Sequence, residues 1–112
     1  MTFKVTVAEA GKPLSRVKSA ERKSLKVALV QTKWHSDDAE HEAVLLEGIR
    51  LAAENGAEIV FLPELTLSRY MADTRPTGTP NALAEQLDGG PTHILAAKAA
   101  AENNVFVHIS LY

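Results

Sequence analysis

One glutamate in this chain follows an apolar run at a position where acid-base chemistry is common. Residues 59–65 are Ile-Val-Phe-Leu-Pro-Glu-Leu, so Glu64 lies just beyond a predicted strand that Pro63 terminates. In open α/β sheets, ligands bind at the carboxyl ends of the strands. A partly desolvated carboxylate at that edge would act as a general base. The spacing alone leaves open a solvated loop glutamate, or one that caps nearby backbone donors.

The other residue types that support catalysis are poorly arranged for it. The four histidines have no tight ligand spacing, so we expect no metal site. They are His35, His41, His93 and His108. The serines occur in no Gly-x-Ser-x-Gly elbow. The chain contains no cysteine, which excludes disulfides, zinc-thiolate sites and a cysteine nucleophile within these residues.

A strand, a helix and a second strand are predicted to position Glu64. Residues 25–31 are rich in apolar side chains, as is typical of a parallel strand covered on both faces. A helix from about Asp38 to Asn55 follows, with Asp37 and Glu40 at capping-box spacing and Gly56 suited to its end. The second strand is predicted over residues 58–62. This order favours an α/β fold with a parallel crossover.

The second half of the chain repeats this alternation after a long connection. Residues 63–90 contain several proline and glycine breakers and no long periodic pattern. Gly90 and Pro91 indicate the start of a helix that ends near Asn103, and residues 105–111 are predicted to form a third strand. Such a sheet would leave its edges and one face uncovered. We therefore expect the front of a longer domain, or a partner chain that supplies the missing layers.

Charge divides the chain into two predicted parts. Residues 1–23 hold six basic and two acidic side chains, whereas residues 24–112 hold six basic and twelve acidic ones. We interpret 1–23 as a basic, flexible N-terminal extension and 24–112 as the domain; an organelle-targeting segment is the alternative for 1–23. The net charge of −2 gives no reason to expect nucleic acid as a partner. No apolar run is long enough for a membrane span or a secretory signal, so we expect a cytoplasmic protein.

The order of these segments resembles a known family. Residues 26–31, the helix end at 52–57, the stretch 59–65 and Tyr70 just downstream are together similar to the N-terminal signature of the nitrilase superfamily of carbon-nitrogen hydrolases. The Gly90-Pro91 helix and the strand after it resemble the family's next two elements. The resemblance implies the front part of a nitrilase-like α-β-β-α sandwich, over residues 24–112.

The resemblance also implies a mechanism. Family members use a cysteine nucleophile, a lysine and a glutamate, without metal or cofactor; only the glutamate corresponds to a residue here, Glu64. The lysine and cysteine lie further along the family's sequence than this chain extends. Tyr70 is implied as a substrate-binding residue, although packing under the loop is equally consistent. Arg69 stands where the family commonly has glycine, and it either meets a substrate carboxylate or is simply exposed.

The resemblance implies the hydrolysis of an amide, carbamoyl or nitrile small molecule with release of ammonia. The resemblance further implies a homo-oligomer for the complete protein. Because the chain has no cysteine, the alternative is a truncated, non-catalytic fragment or interaction partner. A small flavodoxin-like binding module is a third possibility, but no glycine-rich phosphate loop follows the first strand.

Overall fold

Strands and helices alternate along the chain. The computed structural model describes residues 2–15 and 17–112, within which it contains three strands and two α-helices. In chain order they are β1 (Val27–Leu29), α1 (Asp38–Glu54), β2 (Ile59–Phe61), α2 (Pro91–Asn103) and β3 (Phe106–His108). The predicted α/β class and element order are confirmed, and they are consistent with part of a nitrilase-like fold.

The three strands form one parallel sheet in the order β1-β2-β3. Val60 in the central strand is paired with Ala28 on one side and Val107 on the other. Single hydrogen bonds continue the ladder past the regular strands, as where the N–H of Val30 donates to the carbonyl of Phe61 at 2.9 Å. Each strand therefore lies within its predicted range but is shorter than that range.

Local signals set both ends of α1. The carboxylate of Asp37 accepts a hydrogen bond from the N–H of Glu40 at 2.7 Å, as the capping spacing predicts. At the other end Gly56 has φ +86°, the left-handed conformation that glycine adopts without strain. Between these ends Leu45 and Ile49 are fully buried. The helix therefore uses one face to cover the sheet.

Helix α2 also begins and ends at the predicted residues. Gly90 is its N-cap and Pro91 its first residue. Asn104 ends it in the left-handed conformation with φ +53°. Between β2 and α2 the long connection contains two 3₁₀ helices, Met71–Asp73 and Pro80–Leu83.

Both helices pack on the same side of the sheet. The buried core consists of residues from α1, β2, α2 and the segments beside β2: Leu45, Ile49, Ala57, Val60, Leu62 and Ala99. On the opposite side of the sheet, Val27, Leu29 and Phe106 are exposed. The predicted uncovered face is therefore present, and β1 is covered on one face, not on two.

The beginning of the chain lies near β1 and α1. Residues 2–8 and 26–33 line a cavity of about 730 Å³ together with part of α1. A Cβ added to Gly48 would lie 2.6 Å from Val30 Cγ1 and 3.4 Å from Phe3 Cζ, so both side chains pack closely on this glycine. The division of the chain at residue 23 remains a prediction, and Met1 and Arg16 lie outside the described residues. No helix in the described parts of the chain is long and apolar enough to cross a membrane.

Candidate active site

Glu64 lies at the carboxyl edge of the sheet, where the sequence predicts it. It follows β2 after Leu62 and Pro63, and its side chain is exposed. The expectation of a partly buried carboxylate is therefore not met by the residues that the structure describes. Burial of Glu64 would require additional chain or a bound substrate at this edge.

The backbone next to Glu64 has an unusual conformation. Leu65 has φ +52°, in the left-handed region that a residue with a branched side chain rarely adopts. Such a conformation costs roughly 1–3 kcal/mol and persists only where surrounding contacts hold it. The contacts that hold it come from the next residue.

Thr66 anchors the loop two residues after Glu64. The residue is 1% exposed, and its N–H donates to the carbonyl of Ser110 at 2.9 Å. Its hydroxyl donates to the carbonyl of Pro63 at 3.0 Å and accepts from the N–H of Ser110 at 3.1 Å. Its carbonyl accepts from Nε2 of His41 at 2.8 Å. Thr66 thus joins the Glu64 loop to α1 and to the segment after β3.

Two histidines that are scattered in the sequence form a buried pair. Because Nε2 of His41 donates to Thr66, its Nδ1 can accept, and it lies 3.3 Å from the N–H of His35 and 3.4 Å from Nδ1 of His35. Within the described residues, Nε2 of His35 is buried and has no hydrogen-bond partner. A carboxylate oxygen of Glu40 lies 3.9 Å from this nitrogen.

The remaining predicted residues lie on the surface of the loop. Tyr70 is 53% exposed, so it is not packed under the loop. Arg69 is exposed; its guanidinium lies 5.9 Å from the ring centroid of Trp34, and its Nε is 3.5 Å from the carboxylate of Asp73. A role for Tyr70 in substrate binding stays a prediction.

Glu85 has a structural role that the sequence reasoning missed. Its carboxylate accepts hydrogen bonds from the N–H and the hydroxyl of Thr92, both at 2.9 Å. Thr92 is buried in the first turn of α2, so Glu85 satisfies one of the helix's free backbone donors. The sequence did not indicate this role because Glu85 lies in the connection before the N-cap residue Gly90, not at the cap position itself.

A cavity of about 200 Å³ lies beside His41. It is lined by Asp38, His41, Glu42, Leu67, Glu85 and Pro91. The larger cavity near residues 2–8 does not include Glu64 among its lining residues. We place the candidate site at Glu64 because this exposed carboxylate follows β2 at the carboxyl edge of the parallel sheet.

The histidines do not combine with carboxylates into a metal-binding group. Among the described residues, no cluster of three or more His, Cys, Asp or Glu side chains is placed to hold a metal ion. Nδ1 of His93 accepts a hydrogen bond from the N–H of Gly89 at 2.8 Å. The ring of His108 lies 5.1 Å from that of Phe61, between centroids.

Comparison with known proteins agrees with the fold. The family model described as "Carbon-nitrogen hydrolase" matches residues 26–112, which is most of the chain. Searches of curated proteins and of solved structures found no significant match. The match confirms the resemblance to the N-terminal segment of the nitrilase superfamily. From the fold, the order of its elements and this match, we conclude that the chain belongs to the carbon-nitrogen hydrolase family.

Proposed function

We propose that the complete form of this protein hydrolyses a non-peptide carbon-nitrogen bond, with Glu64 as the general base. The observation that carries the proposal is that an exposed carboxylate follows β2 at the carboxyl edge of a parallel sheet. Its backbone is held on the C-terminal side by the buried Thr66. A base must be accessible and well oriented to take a proton from a reacting group.

The proposed reaction adds water across the carbon-nitrogen bond. With an amide, a nucleophile attacks the carbonyl carbon while Glu64 accepts the nucleophile's proton. Glu64 then gives this proton to the amide nitrogen, and the tetrahedral intermediate expels ammonia and leaves an acyl group on the nucleophile. Water activated by Glu64 releases the carboxylic acid and restores the nucleophile. A cation near the oxyanion would stabilise the intermediate.

The nucleophile and the cation would come from outside these residues. Family resemblance implies a thiolate and a lysine, and the 112 residues contain no cysteine. A thioester intermediate therefore requires a cysteine supplied by further chain. The chemistry needs side chains and water alone, so we propose neither a metal nor a cofactor.

The proposed substrates are small molecules with an amide or carbamoyl group, and nitriles are the second choice. Tyr70, exposed and six residues from Glu64, is the proposed substrate-binding residue. We also propose a cytoplasmic location, a homo-oligomer as the complete form, and neither nucleic acid nor a membrane as partner.

A non-catalytic fragment or interaction partner is the second candidate. The observation that favours it is the absence of cysteine from the chain. Under this alternative the chain would keep the α/β fold and release no ammonia from any substrate, alone or in its natural reading frame.

Ammonia release tests the proposal. We would compare the 112-residue chain with the product of its natural reading frame on a panel of amides, carbamoyl compounds and nitriles. In the active form, Glu64→Gln should lower turnover by about 10²–10⁴-fold, the usual contribution of a general base. The melting temperature should stay unchanged because the side chain is exposed.

Glu102→Gln is the matched control, since Glu102 is an exposed glutamate near the end of α2. It should keep full turnover. Near-normal turnover of Glu64→Gln would reject Glu64 as the base. A folded, cysteine-containing product with no activity on the whole panel would favour the non-catalytic candidate.

A further inference from the structure

We propose that Thr66 is the positioning residue for Glu64, with His41 as its anchor on α1. The inference rests on the proposed function, because it concerns the residue that we assign as the base. Neither Thr66 nor His41 is proposed to contact the substrate. Their role is to hold the backbone from which the Glu64 carboxylate extends.

The hydroxyl of Thr66 closes the loop around Glu64. It donates to the carbonyl of Pro63 at 3.0 Å, so the residues immediately before and two after Glu64 are joined. The same hydroxyl accepts from the N–H of Ser110 at 3.1 Å, and the N–H of Thr66 returns a bond to the Ser110 carbonyl at 2.9 Å. The loop is therefore tied to the segment that follows β3.

Leu65 makes this anchoring necessary. Its φ of +52° is unfavourable for leucine, and a loop without restraint would relax out of it. Relaxation at Leu65 would swing the adjacent Glu64. The buried hydrogen bonds of Thr66 on one side and the end of β2 on the other oppose that movement.

His41 holds the same point from the helix. Its Nε2 donates to the Thr66 carbonyl at 2.8 Å, and both residues are buried. The bond connects the first turns of α1 to the Glu64 loop. Its Nδ1 faces the backbone N–H of His35, so this nitrogen must stay unprotonated to act as an acceptor.

Charged and titratable groups surround His41 on each element packed against it. His35 lies before α1, and Glu85 lies in the connection before α2. The α1 residues in this group are Asp38, Glu40 and Glu42.

The first test uses amide hydrogen exchange in the 112-residue chain and needs no activity. Thr66→Val keeps the shape of the side chain and removes the hydroxyl, whereas Thr66→Ser keeps the hydroxyl. We expect Thr66→Val to speed exchange at the amides of Ser110 and of residue 66 on the order of tenfold, with Val60 unaffected. Thr66→Ser should restore the slow exchange. Thr77→Val, at an exposed threonine of the connection, is the matched control and should change nothing.

His41 is tested in the same chain by ¹⁵N spectra of its ring. The expected signature is a protonated Nε2 and an unprotonated Nδ1. His41→Leu should speed exchange at the amide of residue 66, which donates to the carbonyl of Ser110. A Nδ1-protonated ring, or unchanged exchange at the amide of residue 66 in both Thr66→Val and His41→Leu, would overturn the proposal.

The second test measures turnover in the active form of the protein. Thr66→Val should lower kcat by about 10²-fold with KM little changed, as expected for a misplaced catalytic group. Thr66→Ser should recover most of the loss. Full kcat in Thr66→Val, or a loss that serine does not rescue, would overturn the positioning role. If the original protein releases no ammonia, the proposed function fails, while the exchange experiment still decides whether Thr66 holds the loop.

Discussion

The two faces of the sheet differ sharply in how they are covered. On the helix side, Val60 of the central strand is fully buried together with Ile49 of α1. On the other side, Leu29 is 80% exposed and Phe106 is 75% exposed, although both are large apolar residues. The same strands supply both faces, because alternate residues of a strand point in opposite directions.

The difference shows which part of this sheet is completed by the chain itself. Burial of apolar area stabilises the fold by roughly 25 cal/mol per Å², and the open face forgoes that gain within the described residues. An apolar open face is also typical of a surface that something covers. The helix-covered side should therefore control the stability of this chain, and the open side should control its association.

The largest effect should come from truncating the core of the covered face. Ile49→Ala should lower the free energy of unfolding by about 2–5 kcal/mol, because it leaves a cavity in a fully buried position. The matched change on the open face, Leu29→Ala, should cost no more than about 0.5 kcal/mol. Urea unfolding followed by circular dichroism measures both. Similar losses for the two variants would contradict the comparison.

A smaller effect should come from the polar contact that holds the helix layer at α2. Glu85→Ala should destabilise the chain by about 1–3 kcal/mol, because it leaves the buried hydroxyl and N–H of Thr92 without their acceptor. The control is Glu102→Ala. Glu102 forms an exposed ion pair in which its carboxylate lies 3.9 Å from Nζ of Lys98. Glu102→Ala should change the free energy of unfolding by no more than roughly 0.5 kcal/mol. Equal results from the same urea experiment would show that Glu85 does not stabilise α2.

The close approach of α1 to Val30 provides a third test on the covered side. Gly48→Ala should cost about 1 kcal/mol, because steric overlap with Val30 exceeds the gain in helix propensity. The double variant with Val30→Ala should be more stable than the sum of the two single changes predicts, by about 0.5 kcal/mol or more. Additive effects would mean that the side chain of Val30 moves aside without cost.

The open face should affect association more than stability. Leu29→Thr and Phe106→Thr replace exposed side chains with threonine, a β-branched residue that favours strands, so each should change the free energy of unfolding by no more than about 0.5 kcal/mol. Sedimentation velocity should show reduced self-association of the double variant. A large loss of stability would mean that this face is covered in solution by other parts of the chain.

The smallest effect should come from the exposed ion pairs on the outer side of α1. The hydrogen bond from Arg50, and then its positive charge, hold the pKa of Glu47 below its ordinary value. A lowered pKa in the folded state gives stability that is present above the ordinary glutamate value of about 4.3 and is lost as pH falls through the lowered value. Arg50→Gln should reduce this acid dependence, measured as the change in melting temperature between neutral and acidic buffer. An unchanged dependence would show that solvent screens the pair fully.

Several elements could be predicted because their signals are local. Asp37 at the start of α1 and Gly56 after its end act on backbone groups within a few residues, so their types indicate the helix bounds. Pro91 does the same for α2. The position of Glu64 beyond a strand was also predictable, since it depends on an apolar run and a proline.

Other features depended on residues that are distant in the sequence. Thr66 and Ser110 are 44 residues apart, and His41 and Thr66 are 25 apart. Their hydrogen bonds require the register of β2 against β3 and the placement of α1 on the sheet. No periodicity or spacing in the chain encodes that register, so these residues were missed.

The sequence by itself determined the α/β class, the order and the caps of the helices, and the family to which the chain belongs. Tertiary structure alone decided the anchoring of Glu64 through Thr66, the pairing of His35 with His41, and which sheet face stays open. The physical reason is the range of the interactions. Caps and turns act between near neighbours, whereas the site and the core arise when packing brings separate elements together.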